Sequence, residues 1–345
     1  MANKTVQNNE TKQQLIDARF ELFGIGVHLR LPEDAYPQFK SKLVQFLPEG
    51  QLIHWKKGST DIDINVTYGS ESLEVNGYSV RFSAPATSDQ LAMNAVLMTS
   101  RLIEKKLNEI GTFSMHGSAV SYGDECVLII GPSGAGKTTA AVYTCMLDKE
   151  LAYAAGNRIF LDSKKGTVIE GVRKSSLRLS SILNEFNEFQ TLLIRESIKN
   201  SNPDTNSMVQ TNRISVSPDQ LGIRESSYPL KVKAIIIFRK IDSDLHVFEK
   251  KQNGDAELLA LYTALSEYSS HIPVILTGTL IPYPDNFSDI LKRKRAYFSN
   301  QLLTSTPVIY IEGRLPEVAR HIAQYLKSGV QTNHNSLKLL RNDKA

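Results

Sequence analysis

The chain has 345 residues, enough for about two domains at roughly 100 to 200 residues each. A hydrophobic share of 41% against 22% charged residues excludes a disordered chain. The 40 basic and 36 acidic residues leave a net charge of +4, too little over this length to hold nucleic acid or anionic lipid by charge alone. The longest apolar runs, Val127-Leu128-Ile129-Ile130 and Ala234-Ile235-Ile236-Ile237-Phe238, fall far short of the roughly 18 to 20 residues of a membrane helix. No apolar leader core follows Met1, so the expectation is a globular, cytoplasmic protein with no nucleic-acid and no membrane partner. Cys126 and Cys145 each sit in an apolar segment and read as reduced structural thiols.

Residues 1–14 lack periodicity and are expected to trail into solvent. The run RFELFGIGVHLRLP is rich in strand formers, and Ile62, Ile64, Val66 and Tyr68 alternate with polar residues as a half-buried strand does. Val75, Asn76-Gly77, Val80 and Phe82 form a hairpin signal, because Asn-Gly readily supplies positive φ. From Ser88 to Ile110 the period lengthens, with Leu91, Ala95, Met98, Leu102 and Ile110 on one stripe. This predicts a helix with Ser88 or Asp89 as N-cap, ended by Gly111. The segment that follows predicts two strands joined at Tyr122-Gly123-Asp124. LAYAAGNRIFL and TVIEGV read as two strands too closely connected for a parallel crossover, hence a hairpin. Residues 197–213, rich in Ser and Asn, read as a long loop, either a lid or disordered. Val232–Phe238 and Pro307–Ile311 predict buried strands, and Ala256–Tyr268 and Glu317–Leu326 predict helices. The expected division is a tail over 1–14, a mainly β domain with a closing helix over 15–112, a nucleotide-binding domain over 113–330 and a tail over 331–345.

One motif carries chemistry. Gly131-Pro132-Ser133-Gly134-Ala135-Gly136-Lys137-Thr138 fits G-x-x-x-x-G-K-[ST] at every fixed position, follows the apolar strand Cys126–Ile130 and precedes a helical stretch that includes Thr139. A chance match in a chain this long is on the order of one in a hundred. Small residues let such a loop wrap an anion with its backbone N–H groups and the helix N-terminus aimed at phosphates. Lys137 supplies a mobile charge for the β and γ phosphates, and the Thr138 hydroxyl is a ligand for Mg²⁺. ATP, with GTP as the alternative, and Mg²⁺ are therefore the expected ligands. Most P-loop NTPases place an acid at the end of a following strand, whereas here Ala234–Phe238 runs into Arg239, which argues against motor-type and GTPase-type ATPases.

His116-Gly117, the glycine-rich loop about fifteen residues on, AAGNRIFL about twenty residues after Lys137, and TPVIYIEG before a terminal helix together resemble the HPr kinase/phosphorylase C-terminal domain and its relatives. The resemblance covers about residues 113 to 328 and looks most like the HPr-kinase-related branch that phosphorylates small molecules or peptides. The fold class expected is α/β with an α+β tendency. The resemblance implies a mixed-sheet P-loop kinase domain of HPr kinase and phosphoenolpyruvate carboxykinase type behind a mainly β N-terminal domain. It further implies a kinase moving the γ-phosphoryl of ATP to a hydroxyl of a small-molecule or peptide acceptor, and a possible homo-oligomer. The glycine-rich second signature of the bifunctional phosphorylase is not apparent, so phosphorylase activity is not expected.

Where the family has an Asp as base, this chain has Asn157, which takes up no proton as a carboxylate does. A nucleotide-binding sensor that has lost transfer chemistry is therefore the second reading. His116 matches the family histidine before the loop strand, and its alternative is a packed core histidine. His116, Asn157 and Arg158 are the candidates for positioning the acceptor and the transferred group, with Lys137. Asp162 and Glu170 are weaker candidates, Asp162 because turns favour Asp. Arg173, Lys174 and Arg178 would neutralise phosphate if they faced the site, or form a solvated face; Lys292–Arg295 reads as an exposed helix face. The histidines at 28, 54, 246, 271, 321 and 334 never fall at metal-ligand spacing, so no transition-metal site is expected.

Overall fold

The computed structural model describes residues 14–48, 53–54, 60–178, 213–249, 254–268, 274–276, 279–281 and 288–328. The loop expected over 197–213 lies outside them save for its last residue, and so do the two tails save for Gln14. Among the described residues the chain is mixed α/β, with two mixed sheets and six α-helices. These residues fall into two compact units, one drawn from Met1–His116, Phe160–Lys164 and Leu265–Phe298, the other from Gly117–Ile159, Lys165–Ala264 and Ser299–Ala345.

The first unit begins with a hairpin of β1 (Leu15–Leu22) and β2 (Ile25–Pro32). Its two-residue turn, Phe23-Gly24, has φ of 52° and 76°, the pair of positive angles that matches the twist of the strands. A short helix follows, α1 (Tyr36–Leu43), with Pro37 in its first turn, where a missing N–H costs nothing. The strand-rich reading of this region missed it, because eight residues with two inward positions, Phe39 and Leu43, give too little periodicity. With β3 (Ile53–His54), β4 (Ile62–Tyr68), β5 (Ser72–Asn76) and β6 (Ser79–Ala84) the sheet runs β3-β1-β2-β4-β6-β5; β2 and β6 lie parallel to β4. In β4 the alternation expected from sequence holds, with Ile62, Ile64 and Val66 buried. The β5–β6 hairpin forms too, but Asn76 pairs with Ser79, so the turn centres on Gly77-Tyr78, with positive φ at Gly77 alone.

Helix α2 (Ser88–Ile110) spans the expected residues and stops at Gly111, which takes the left-handed conformation. Its N-cap is Thr87 rather than Ser88 or Asp89. Thr87 Oγ1 accepts from the Gln90 N–H while the Gln90 side chain accepts from the Thr87 N–H, a capping box. Leu91, Ala95, Met98 and Leu102 are buried as expected; Ile110, in the last turn, is 53% exposed. Polar residues are buried on the same helix, among them Glu104, which accepts from the Ser114 hydroxyl at 2.7 Å. Ser114 lies on β7 (Thr112–His116).

The second unit is built on β8 (Ser118–Tyr122) and β9 (Glu125–Ile130), joined through Gly123-Asp124 as the sequence indicates. Strand β9 lies parallel to β15 (Leu230–Lys240), and β15 parallel to β19 (Val308–Gly313), with β16 (His246–Glu249) antiparallel on β19. LAYAAGNRIFL is two strands rather than one: β10 (Ala152–Ala155) pairs with β8, and β11 (Arg158–Asp162) starts beside β12 (Thr167–Gly171), where the Val172 N–H donates to the Arg158 carbonyl at 2.8 Å. Gly156 and Asn157 form the break. Helix α3 (Lys137–Leu147) and helix α6 (Leu315–Ser328), the last of the six, cover one face of the sheet; Ala140, Ala141, Cys145, Val318 and Ile322 pack there on Val127, Ile129, Ile236 and Ile311. The spacing of Val318, Ile322 and Leu326 explains why this helix was legible, and each such side chain contributes about 1.5 to 3 kcal/mol on burial.

Helices α4 (Asp255–Ser266) and α5 (Asp289–Ser305) complete the set. The basic run on α5 corrects the expectation of one exposed face. Arg293 and Lys294 are exposed, but Arg295 is wholly buried, because it lies four residues after Leu291 and three before Phe298 on the inward stripe.

Candidate functional site

Strand β9 is buried from Cys126 to Ile130, and it delivers the glycine-rich loop at its carboxyl end, next to the carboxyl end of its parallel neighbour β15. Each loop glycine has a conformational reason. Gly131, Gly134 and Gly136 take φ of 152°, 83° and 89°, and a Cβ on Gly131 would lie 2.5 Å from the Phe238 carbonyl oxygen of β15. Between them the Ala135 N–H closes a turn onto the Pro132 carbonyl at 3.2 Å, while Pro132, Ser133 and Gly134 are exposed. Gly136 is the N-cap of α3 and offers no side-chain oxygen, so no side chain caps the helix. Its first-turn N–H groups and the positive end of its dipole are left to another acceptor.

Lys137 is buried to 6% exposure, and its ammonium donates to the carbonyls of Gly131 and Pro132 at 3.0 Å each, which holds the charge inside the loop. The Thr138 hydroxyl donates to the Gly156 carbonyl. Ser118, wholly buried, donates to the same carbonyl at 2.9 Å and lies 3.4 Å from the Thr138 hydroxyl. The Gly117 N–H donates to the Asn157 carbonyl at 3.1 Å. The start of α3, the start of β8 and the break between β10 and β11 are thereby drawn together. Gly156 allows this by lacking a Cβ, which would strike the Tyr153–Ser175 hydroxyl pair. Burial pushes the Tyr153 phenol up, so it stays a neutral hydrogen-bonding group.

Lys137, Thr138, Asn157 and Arg158 thus belong to one unit; Asn157 is exposed, while Arg158, 1% exposed, accepts at its carbonyl from the Val172 N–H on the β12 side. His116 belongs to the other unit, half-buried, with Nδ1 3.2 Å from the Tyr268 hydroxyl. Asp162 accepts from the Lys164 N–H at 2.8 Å in an Asx turn, the role that its position in a turn favours. Arg173 is engaged by Glu225, the Ser226 carbonyl and the buried Glu170. Arg178 instead reaches the loop: its Nη2 lies 3.3 Å from the position of a Cβ on Gly134. Sequence reasoning passed over two more neighbours, Ser118 and Lys240. The Cβ and Cδ atoms of Lys240 lie 3.8 and 3.9 Å from the same point on Gly136. The signal for Lys240 is its place at the end of an apolar strand, since ligand sites in such sheets gather off the carboxyl ends of parallel strands.

The chemistry of these groups suits a phosphate chain with a bound Mg²⁺. A hydroxyl that gives its hydrogen to a carbonyl, as Thr138 does to Gly156, keeps its lone pairs for a cation. Among the described residues no group of three His, Cys, Asp or Glu side chains is placed to hold a metal, and no helix is long and apolar enough to cross a membrane. No protein-family model matches the chain, and no curated protein matches it in sequence.

Proposed function

We propose that the chain is a Mg²⁺- and ATP-dependent kinase of the HPr-kinase-like type, passing the γ-phosphoryl group to a hydroxyl of a small molecule or peptide. The observation that carries this reading is the loop itself. Three glycines hold backbone angles that other residues rarely adopt, and an uncapped helix start, Lys137 and Thr138 follow them directly, the order that a phosphate-binding loop requires. The loop N–H groups and Lys137 bind and neutralise the β and γ phosphates. Thr138 and the nucleotide's own oxygens hold the Mg²⁺, which when bound offsets phosphate charge. Asn157, exposed beside the Thr138–Gly156 contact, accepts a hydrogen bond from the acceptor hydroxyl and orients it; as the bond to the ADP oxygen breaks and the new P–O bond forms, the hydroxyl proton passes to an oxygen of the transferred phosphoryl group. In a loose transition state the bond to the leaving oxygen is largely broken before the new one forms, so positioning and charge do most of the work and a carboxylate base is not required.

Titration of ATP and GTP by calorimetry, with and without Mg²⁺, tests the binding step; Lys137→Ala is expected to weaken binding by about tenfold or more. Unchanged affinity in that variant would overturn the assignment. Phosphorus NMR of ATP incubated with a metabolite extract tests the transfer step, with a new phosphoester signal expected. Asn157 in place of the family's Asp favours the second reading, a nucleotide sensor, and Mg²⁺-dependent binding with ATP left intact would select it.

A further inference from the structure

Strand β13 (Ser175–Arg178) pairs with β14 (Arg213–Val216) and ends at the glycine-rich loop. The Nη2, Nη1 and Cζ atoms of Arg178 lie 3.3, 3.8 and 3.9 Å from the position of a Cβ on Gly134. Both terminal nitrogens are nearer than Cζ, so the guanidinium turns its Nη edge toward Gly134. Arg178 is exposed, so its donors are open to a ligand.

Arg178 adds a guanidinium beside a loop that already carries the Lys137 ammonium, held by the Gly131 and Pro132 carbonyls, and the positive end of α3. Such a setting attracts anions. A guanidinium also offers a planar fork suited to two oxygens of one phosphate, which an ammonium lacks.

We propose that Arg178 is a phosphate-binding residue of this site, clamping the polyphosphate of the nucleotide from outside the loop while Lys137 holds it from within. The proposal rests on the reading of the loop as a nucleotide site.

The test is calorimetric titration of the full chain with MgATP and with MgADP, for the parent and for Arg178→Ala, Arg178→Lys and Lys231→Ala. Lys231 sits at the opposite end of β15 in an exposed pair with Asp124, so its removal controls for net charge. Arg178→Ala is expected to weaken MgATP binding by about 10- to 100-fold, with the Lys variant recovering part of the loss and Lys231→Ala matching the parent. The ligand-free melting temperatures of the Arg178 variants should equal that of the parent, because the side chain is exposed. Nucleotide bound equally well by the parent and Arg178→Ala would overturn the role of Arg178 and leave the loop reading standing. So would a lowered ligand-free melting temperature that the Lys variant shares. A parent that binds neither nucleotide would instead bring down the loop reading itself.

Discussion

A single side chain at Gly131 would undo the loop. A Cβ there meets the backbone oxygen of Phe238, which has no flexible end to swing away, in a conformation that L residues rarely hold. Gly131→Ala is expected to abolish MgATP binding and to lower the melting temperature, both measurable on one preparation. In the other unit His28 is buried on β2 between two carboxylates, with Nδ1 2.7 Å from Asp63 and Nε2 2.9 Å from Asp17. The bond from His28 holds the Asp17 carboxyl below the usual carboxylate range. A depressed carboxylate contributes stability that is complete above its unfolded pKa and lost as pH falls through the folded one. Both carboxylates are about half exposed and screened by solvent, so His28→Gln is expected to cost about 1 kcal/mol or less in urea unfolding at neutral pH, a gap that narrows as pH drops through the carboxylate range. The two cysteines give a third residue-level outcome. Both are free and buried, and burial pushes both thiols up, so neither should react with a thiol reagent until the chain unfolds. Reaction of either thiol in the folded protein would contradict this.

The elements follow from local rules wherever those rules act without competition. Helix α2 has a stripe, a capping box and a left-handed glycine at its end, and every one of these signals is local. Thr87→Ala should lower stability by about 1 kcal/mol in denaturant unfolding, since it removes the acceptor for the Gln90 N–H. Its cap lies one residue before Ser88 and two before Asp89, the expected caps, because Thr87, Ser88 and Asp89 are all good N-cap residues and only the backbone angles choose among them. The inward position of Arg295 on α5 was illegible for a different reason: a run of four basic residues conceals that a helix must turn one of them toward Leu291 and Phe298. The stripe on α6 was plain from its spacing, and Ile322→Ala should cost roughly 2 to 5 kcal/mol, because Ile322 is wholly buried against the sheet.

At the scale of the molecule the chain crosses more than once between its two compact units, and neither is a continuous stretch. The first unit takes Phe160, whose ring lies 4.9 Å from that of Phe23, and Phe298, stacked at 5.5 Å on Phe113. A fragment ending at His116 lacks both rings. It should melt below the full chain and bind a hydrophobic dye, whereas a fragment as stable as the full chain would show the added segments to be dispensable.

The amino-acid order alone determined the loop, the strand before it and the helix after it, because the fixed glycines, Lys137 and Thr138 encode backbone angles and charge at adjacent positions. It likewise determined α2, the hairpins of β5 with β6 and β8 with β9, and the buried strands β15 and β19, all of which rest on periods and turns within a few residues. Only the tertiary structure decided which distant residues meet the loop. Ser118 and Gly156 reach Thr138, Arg178 reaches Gly134 and Lys240 reaches Gly136 because strands far apart in sequence end at the same place. The break that parts β10 from β11 was hidden in the same way, since both halves carry the same apolar pattern and differ only in the partner strand each one finds.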